Sequence, residues 1–278
     1  ATRTLSDSRQ RVLTGMLVPF AACSARLSVF LVLAHAFFPK YAGLVVFLMY
    51  VASVMVVLLV GVLLRHTMFR GLEPEPLMLA LPAYQCPRAL QLARSVLLRL
   101  WGFIRGASVI IISMITALWL GIPVTANAGG FAHVDDVHDS AYGVLADAVA
   151  PVFAPAGFDD WHASAALITG FVAKEVVVGS MSQSYHADEP DDATSQQAGE
   201  GTLGQKLRAS FDQSSHGHGK AAAIAFLLFT LAYTPCLATV AEMRRQLGTK
   251  VAARSVLLSL PVAYVIAIIA FQTLRLIW

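Results

Sequence analysis

The sequence predicts an all-α membrane protein, a polytopic bundle in which some helices are interrupted or re-entrant. Its 278 residues are 57% hydrophobic and only 13% charged, which lies outside the range of ordinary soluble domains. A helix rises ~1.5 Å per residue, so about 20 apolar residues cross a hydrocarbon core of ~30 Å. Four stretches of at least 20 residues contain no Asp, Glu, Lys or Arg, and each can therefore span a membrane: 41–64, 106–132, 221–241 and 255–274.

Two further apolar segments are long enough to span but contain charges. Residues 12–39 include Arg26, and residues 161–185 include Lys174 and Glu175. An ionised side chain in the middle of a bilayer costs roughly 2.5–3.5 kcal/mol, so such residues usually face the interior of a bundle or a water-filled path. Two interpretations stay open: structural charges near an interface, or groups with a role in transport. Adjacent helical residues point about 100° apart, so Lys174 and Glu175 need separate partners.

The distribution of basic residues predicts the topology. Lys and Arg concentrate before the first segment, between the second and third, and between the last two, which places these regions on the cytoplasmic side. Residues 125–160 contain aspartates but neither Lys nor Arg, which suits the outer face. This arrangement requires that 161–185 enter and return on the outer side, turning near Gly170 or Gly179. The alternative is a single crossing that leaves 244–254 outside.

The chain divides into three regions. Residues 1–70 hold two membrane segments, 71–105 form a connector and an amphipathic helix, and 106–278 form a second membrane region. Within the last, the polar and acidic stretch 186–219 is predicted to be a loop that is partly disordered. The amphipathic helix either lies on the inner membrane surface or packs against the bundle, and its basic residues share one arc: Arg88, Arg94, Arg99 and Arg105.

Cysteines beside prolines indicate a candidate metal path. Three cysteines cannot form a fully paired disulfide framework, and Cys23 and Cys236 lie within apolar segments close to Pro19 and Pro235. Proline removes a backbone donor and frees a carbonyl at membrane depth. Thiols near freed carbonyls can bind a borderline-soft divalent cation, although a single buried cysteine is more often a small core residue. Neighbouring hydroxyls complete the candidate set: Ser24, Thr234 and Thr239.

Other candidate sites are weaker. An outer capture site would combine His133 and His138 with Asp135 and Asp136, and the histidines of "SSHGHGK" lie in a polar stretch. No Ser-His-Asp or paired-carboxylate arrangement can be placed on common elements, which argues against an intramembrane enzyme. No G-x-x-x-x-G-K-[ST] phosphate-binding motif is present.

Three stretches resemble the membrane region of the ferrous iron transport protein B (FeoB) family: "MLVPFAACSARLSVF", "PVFAPAGFDDWHASAALITGFVAKEVVVGS" and "FLLFTLAYTPCLATVAEMRRQLG". They occur in the family's order, and "LPAYQCPRALQLARSVLLRLWGFIRGASVII" looks like its inter-gate segment. The similarity covers nearly the whole chain. It implies a bacterial inner-membrane Fe²⁺ importer whose two Gate regions are similar to nucleoside transporters. The end of the first Gate would be 1–70, and the second would be 106–278.

The resemblance also implies roles for the candidate residues. Fe²⁺ would pass between the Gates with Cys23 and Cys236 as ligands or passing points, and Glu175 would balance its charge. Lys174 and Arg26 would fix helix positions through hydrogen bonds. By motif, Cys23 and Ser24 belong to the first Gate, and the remaining path residues belong to the second: Lys174, Glu175, Pro235 and Cys236.

Family members carry an N-terminal GTP-binding domain, and this chain has no such motif. We therefore expect a non-enzymatic C-terminal part of a transporter, with Fe²⁺ as the transported ion, no permanently bound cofactor, and GTP used only through a separate domain. The expected partners are membrane lipids, the missing transporter half and a small cytoplasmic accessory protein, but no nucleic acid. Alternatives are a subunit of a nucleoside-type transporter, one for Mn²⁺ or Zn²⁺, or a scaffold.

Overall fold

The computed structural model describes residues 7–70, 88–121, 138, 140–172, 174–186, 194–233 and 235–277. Throughout these ranges the regular structure is helical, as the sequence predicts. The first helices are α1 (Ser8–Leu17), α2 (Ser24–Phe37), α3 (Ala42–Thr67), α4 (Ala89–Gly121), α5 (Ala141–Val149) and α6 (Trp161–Val172). The others are α7 (Val177–Ser184), α8 (Ser195–Glu200), α9 (Thr202–Ser214), α10 (Gly219–Ala232), α11 (Leu237–Leu247) and α12 (Thr249–Leu274). Short 3₁₀ turns cover Val18–Phe20, Pro39–Tyr41, Ala150–Ala156 and Lys174–Val176.

Four helical segments in the described ranges are long and apolar enough to cross a membrane: Ser8–Phe37, Pro39–Thr67, Gly219–Leu247 and Thr249–Leu274. Two of them are interrupted, since α1 and α2 are separated by residues 18–23, and α10 and α11 by residues 233–236. The predicted bundle with interrupted helices is therefore confirmed. The α10–α11 segment lies at the centre, because 71% of its apolar window is buried, whereas only 17% is buried in the α3 segment.

Helix α4 differs from the prediction. The sequence predicted two elements here, an amphipathic helix ending near 105 and a new span beginning at 106. That prediction is wrong, because a single helix runs over Ala89–Gly121. No proline interrupts these residues, and Gly102 and Gly106 alone do not break a helix. The predicted connector over 71–87, with Cys86, and the end of the predicted span over 122–132 lie outside the described residues.

Helices α6 and α7 form a hairpin. The Tyr185 hydroxyl, just after α7, donates to the Asp160 carboxylate, just before α6, at 2.8 Å. The rings of His162 and Tyr185 stack with centroids 4.0 Å apart. Both ends of the segment therefore lie side by side, as an enter-and-return path requires, and its entry from the outer side stays a prediction. The chain turns at 173–176, between the two glycines that were predicted as turning points.

Residues 195–214 are not the predicted loop, because they fold into α8 and α9, which together we call the cap. Leu203, Leu207 and Phe211 are fully buried and recur every four residues, which gives α9 an apolar face. Thr194 begins α8 with a capping box. The cap packs on α2, where a Cβ at Gly199 would lie 2.5 Å from the Val32 carbonyl oxygen. The prediction of a loop was based on polar composition and overlooked the four-residue spacing of the apolar residues in α9.

Candidate cation passage

Side chains of α9 form hydrogen bonds at the ends of three half-helices: α2, α6 and α10. The Arg208 guanidinium donates to the Ala36 carbonyl at the end of α2. Ser210 donates to Asp160 before α6 at 2.5 Å, and Asp212 accepts from the Gly219 amide at the start of α10 at 3.0 Å. Between its contact with α9 and the next interruption, α2 has 14 helical residues, α6 has 12 and α10 has 14. At ~1.5 Å per residue, all three interruptions lie about 18–21 Å from α9 along the helices, a length shorter than the ~30 Å of a bilayer core.

The first interruption, residues 18–23, is held open by two polar side chains. Arg26, which is only 2% exposed, donates to the Pro19 carbonyl at 2.8 Å and to the Ala21 carbonyl at 3.0 Å. Ser53 of α3 donates to the Phe20 carbonyl at 3.0 Å and accepts from the Ala22 amide at 2.9 Å. The carbonyls near Pro19, which the sequence suggested as ligands for the ion, therefore accept hydrogen bonds from the protein. Arg26 makes hydrogen bonds of the kind that we expected of it.

Each cysteine lies where a half-helix restarts. Cys23 has an extended backbone, with φ −117° and ψ 158°, and is the N-cap residue of α2. Cys236, with φ −60° and ψ 156°, has the same position before α11. The Cys23 side chain is exposed and that of Cys236 is partly exposed, so both thiols are accessible. The thiol of Cys236 also lies 3.3 Å from the Thr239 hydroxyl.

The two interruptions face each other across Arg26. This guanidinium lies within electrostatic range of Cys23, Cys236 and Tyr233. Helix α10 packs against both α2 and the turn that precedes it. The structure therefore places two cysteines, more than 200 residues apart in the chain, within electrostatic range of one guanidinium.

The hairpin turn reaches the same place. Lys174 is 3% exposed, and its ammonium nitrogen lies 4.5 Å from the centre of the Tyr233 ring, a cation–π distance. The turn also contacts α2. Gly170 permits this packing, because a Cβ there would lie 2.4 Å from the Tyr233 hydroxyl oxygen and 2.8 Å from Val177. The Glu175 backbone belongs to the turn, but its side chain lies outside what the structure describes.

Tyr233 is the central residue that sequence reasoning missed. Its ring is 3% exposed, lies beneath Lys174 and stacks on Phe229 at 5.4 Å. Its hydroxyl lies 3.5 Å from the Leu167 carbonyl in α6. An aromatic residue directly before a proline-containing helix break was the available signal. Three other residues were predicted to support the path. Pro235 is buried, Ser24 is exposed, and Thr234 lies outside the described residues.

No preformed metal centre of three or more His, Cys, Asp or Glu side chains occurs within the ranges that the structure describes. A path through which an ion passes needs sites that also release it, so sparse ligands suit transport better than storage. Three members of the predicted outer capture site lie outside the described residues: His133, Asp135 and Asp136. The fourth, His138, places its ring 4.9 Å from that of Trp161.

A polar cluster closes the open end of the hairpin. Besides Tyr185 and Ser210, the Asp160 carboxylate contacts Nδ1 of His162 at 2.9 Å. Burial of this carboxyl raises its pKa, but the hydrogen bonds from His162, Ser210 and Tyr185 outweigh burial and hold the pKa below its ordinary value. Lys206 of α9 adds bonds to the carbonyls of Tyr185 and His186 at 2.6 and 2.8 Å. The cap is thereby tied to both arms of the hairpin.

Comparisons with known proteins agree with this architecture. A family model described as "Gate: Nucleoside recognition" matches residues 98–250, and one described as "Ferrous iron transport protein B C terminus" matches residues 46–99. The Fe(2+) transporter FeoB of Salmonella typhimurium is 33% identical over 308 residues, covering 97% of this chain and 39% of that protein. No solved structure matches.

Two further relatives bear the same name. The Fe(2+) transporter FeoB of Escherichia coli (strain K12) is 32% identical over 309 residues, covering 97% of this chain and 39% of that protein. That of Methanocaldococcus jannaschii is 32% identical over 274 residues, covering 97% of this chain and 38% of that protein. The chain thus spans about two fifths of the length of these relatives and matches their C-terminal part.

Proposed function

Because the chain belongs to the FeoB family, whose C-terminal Gate region it matches, we propose that it forms the C-terminal portion of a permease that takes up ferrous iron. It is a multi-pass protein of the inner (cytoplasmic) membrane, with apolar helices long enough to cross it. The relatives are named as Fe(2+) transporters, which favours iron over the nucleoside-type alternative.

The observation that carries the proposal is the convergence of Cys23 and Cys236 on one guanidinium at two facing helix interruptions. Fe²⁺ is a borderline cation that accepts thiolate ligands, and a site between two half-helices can be opened from either side. In the proposed path the ion passes from one thiol to the other. Glu175, at the hairpin turn, supplies negative charge that balances the ion.

The remaining candidates have supporting roles in this path. Pro19 and Pro235 interrupt the spans, and Arg26 holds the first interruption open through its carbonyl bonds. Ser24 and Thr234 supply hydroxyls beside the thiols. Fe²⁺ is the transported ion, and the remaining part of the transporter, with its GTP-binding domain, would supply the energy input. A small cytoplasmic accessory protein is a further proposed partner.

The proposal is tested by iron uptake in cells that carry the whole transporter with Cys23→Ser and Cys236→Ser. We expect the initial rate of radioactive Fe²⁺ uptake to fall at least about tenfold, because loss of ~1.4 kcal/mol in binding is already a factor of ten. Cys86→Ser is the matched control, since Cys86 lies in neither interruption. An unaltered rate in the double variant would make the thiols packing residues only. Nucleoside uptake measured beside it distinguishes the alternative carrier.

A further inference from the structure

A cavity of about 500 Å³ lies among three segments that are distant in the sequence: the turn around Gly157, the connection between α9 and α10, and the end of α12. Hydrogen bonds fix its walls. The Ser214 hydroxyl donates to the Gly157 carbonyl at 3.1 Å, and the Gln272 side chain donates to the Pro155 carbonyl at 3.1 Å. Its volume is typical of ligand-binding pockets, and its lining residues include none of the proposed cation passage.

Two opposite charges line this cavity. Asp159 and Arg275 are both exposed there, and among the described residues neither side chain forms an ion pair or a hydrogen bond. The imidazoles of His216 and His218 add further hydrogen-bonding groups. A guanidinium binds phosphate oxygens through paired N–H groups, and a carboxylate accepts hydrogen bonds from an ammonium group. The lining therefore suits a zwitterion that carries both a phosphate and an ammonium group.

The cavity lies at the end of a membrane span. Helix α12 has 26 residues, or about 39 Å at ~1.5 Å per residue, whereas a hydrocarbon core is ~30 Å thick. The C-terminal end of α12 therefore reaches the level of the lipid headgroups. One exposed stripe of this helix leads to the cavity, because Val265, Ile269 and Gln272 follow one another at helical spacing. An acyl chain can lie along this stripe while its headgroup occupies the cavity.

A divalent cation suits this cavity less well. Asp159, His216 and His218 are potential ligands, but they do not form a group of three that could hold a metal ion in the part of the chain that the structure describes. Arg275 adds a positive charge that repels a cation. Inorganic phosphate would leave Asp159 without an ammonium partner.

We propose that this cavity binds the headgroup of a phospholipid that carries a primary ammonium group, as phosphatidylethanolamine does. Arg275 binds the phosphate, and Asp159 accepts hydrogen bonds from the ammonium group. The bound lipid links the end of α12 to the turn around Gly157 and to the connection between α9 and α10. This inference does not depend on the proposed function.

The test is native mass spectrometry of the whole transporter in detergent, titrated with one lipid at a time. We expect the wild type to bind its first phosphatidylethanolamine roughly threefold more tightly than phosphatidylcholine, because an exposed ion pair contributes only a modest free energy. The quaternary ammonium of phosphatidylcholine has no N–H group to donate to Asp159. Asp159→Asn should therefore abolish the preference by weakening phosphatidylethanolamine alone, whereas Arg275→Gln should weaken the binding of both lipids.

Asp147→Asn and Arg254→Gln are the matched controls, because both residues are exposed and neither lines the cavity. Arg254 lies near the opposite end of α12. Both controls should bind the two lipids as the wild type does, and equal losses in the controls would overturn the inference. Equal affinity of the wild type for the two lipids, or a preference that persists in Asp159→Asn, would also overturn it.

Soluble phosphoethanolamine distinguishes a lipid from a free ligand with the same headgroup. We expect that millimolar phosphoethanolamine does not displace the first bound phosphatidylethanolamine, because the acyl chains add apolar contact along α12. Displacement would make the ligand a soluble phosphate ester and would overturn the assignment to a lipid. The midpoint temperature of thermal aggregation should be the same in all four variants and the wild type without added lipid, since these side chains are exposed.

Discussion

The ammonium of Lys174 lies 4.5 Å from the centre of the Tyr233 ring, and this contact joins the hairpin turn to the interruption between α10 and α11. The two residues are 59 positions apart in the sequence. The contact explains how a full charge is accommodated at the level of the helix interruptions, where an uncompensated ion would be costly. It also makes the hairpin part of the proposed path.

Arg26→Met should destabilise the protein. Two charge-assisted hydrogen bonds to buried carbonyls are lost, at roughly 1.5–3 kcal/mol for each bond of this kind, and the Pro19 and Ala21 carbonyls lose these donors. We expect a lower midpoint temperature of thermal aggregation in detergent, and size-exclusion chromatography measures this aggregation. Arg245→Met is the control, because Arg245 is exposed and makes an i,i+3 pair with Glu242. Equal losses in the two variants would contradict the role of Arg26.

Gly170→Ala should loosen the hairpin. A Cβ at this position would lie 2.4 Å from the Tyr233 hydroxyl oxygen and 2.8 Å from Val177, and such overpacking typically costs about 1–3 kcal/mol. Hydrogen exchange of the backbone amides of α6 and α7 should become faster. Tyr233→Phe in the same chain should restore part of the loss by removing the nearer atom.

Gly179→Ala is the matched control for that experiment. A Cβ at Gly179 meets nothing within 4 Å, and alanine is a better helix former than glycine inside α7 by up to about 1 kcal/mol. We expect neutral or slightly higher stability. If both glycine variants lose stability equally, then the close approach of Gly170 to Tyr233 is not what matters.

The joint between cap and hairpin should weaken in acid. The folded-state pKa of Asp160 lies below its ordinary value of 3.8, so the carboxylate stabilises the fold at pH values above 3.8, and this stabilisation is lost as the pH falls through the folded-state pKa. Hydrogen exchange of the amides near 160 and 185 should therefore remain protected at neutral pH and accelerate, after correction for the intrinsic rate, in strong acid.

Asp160→Asn should remove this dependence. The amide keeps the shape of the side chain but loses the charge that His162, Ser210 and Tyr185 stabilise, so protection is already lower at neutral pH and changes little in acid. Asp159→Asn, at the exposed neighbouring position, should behave as the wild type. If a steep acid transition persists in Asp160→Asn, a group other than Asp160 causes the transition.

Cys23 and Cys236 should be joined by a short bifunctional maleimide. The expected product appears on a denaturing gel after cleavage at a protease site inserted into 187–193, where the two fragments stay linked. Because Arg26 lies within electrostatic range of both cysteines, we expect efficient linkage in Cys86→Ser protein. The pair of Cys86 and Cys236 in Cys23→Ser protein is the control, because these two cysteines also lie on opposite sides of the cleavage site, and an equal yield there would contradict the convergence.

Several features of the site followed from residues that act locally. Pro19 and Pro235 cannot donate a backbone hydrogen bond, so an interruption of each span was predictable from the sequence alone. The asymmetry of Lys and Arg in the loops required an even number of crossings by 161–185, and a hairpin is the shape that this requirement predicts. The cysteines beside these prolines were candidates from the residues alone, and the family similarity then assigned them to the two Gates.

Other features had a weak local signal or none. The partners of Arg26 are carbonyls five and seven residues earlier, which point at the guanidinium only because the chain is extended between Ala21 and Cys23. The cap was read as a loop because its sequence is polar, although three apolar residues at helical spacing were enough to fold α9 against the bundle. Tyr233 was overlooked because an aromatic residue in an apolar span is unremarkable by composition.

By itself, the sequence determined the membrane class, the places where helices break and the family. Each of these depends on composition, on proline chemistry or on short motifs, which act within one segment. Only the tertiary structure decided which partners Arg26 has, that the three interruptions meet, and that α9 contacts the opposite ends of the three half-helices. Those features depend on contacts between segments that are far apart in the chain. The sequence shows that a buried charge needs a partner, but it does not show which residue is that partner.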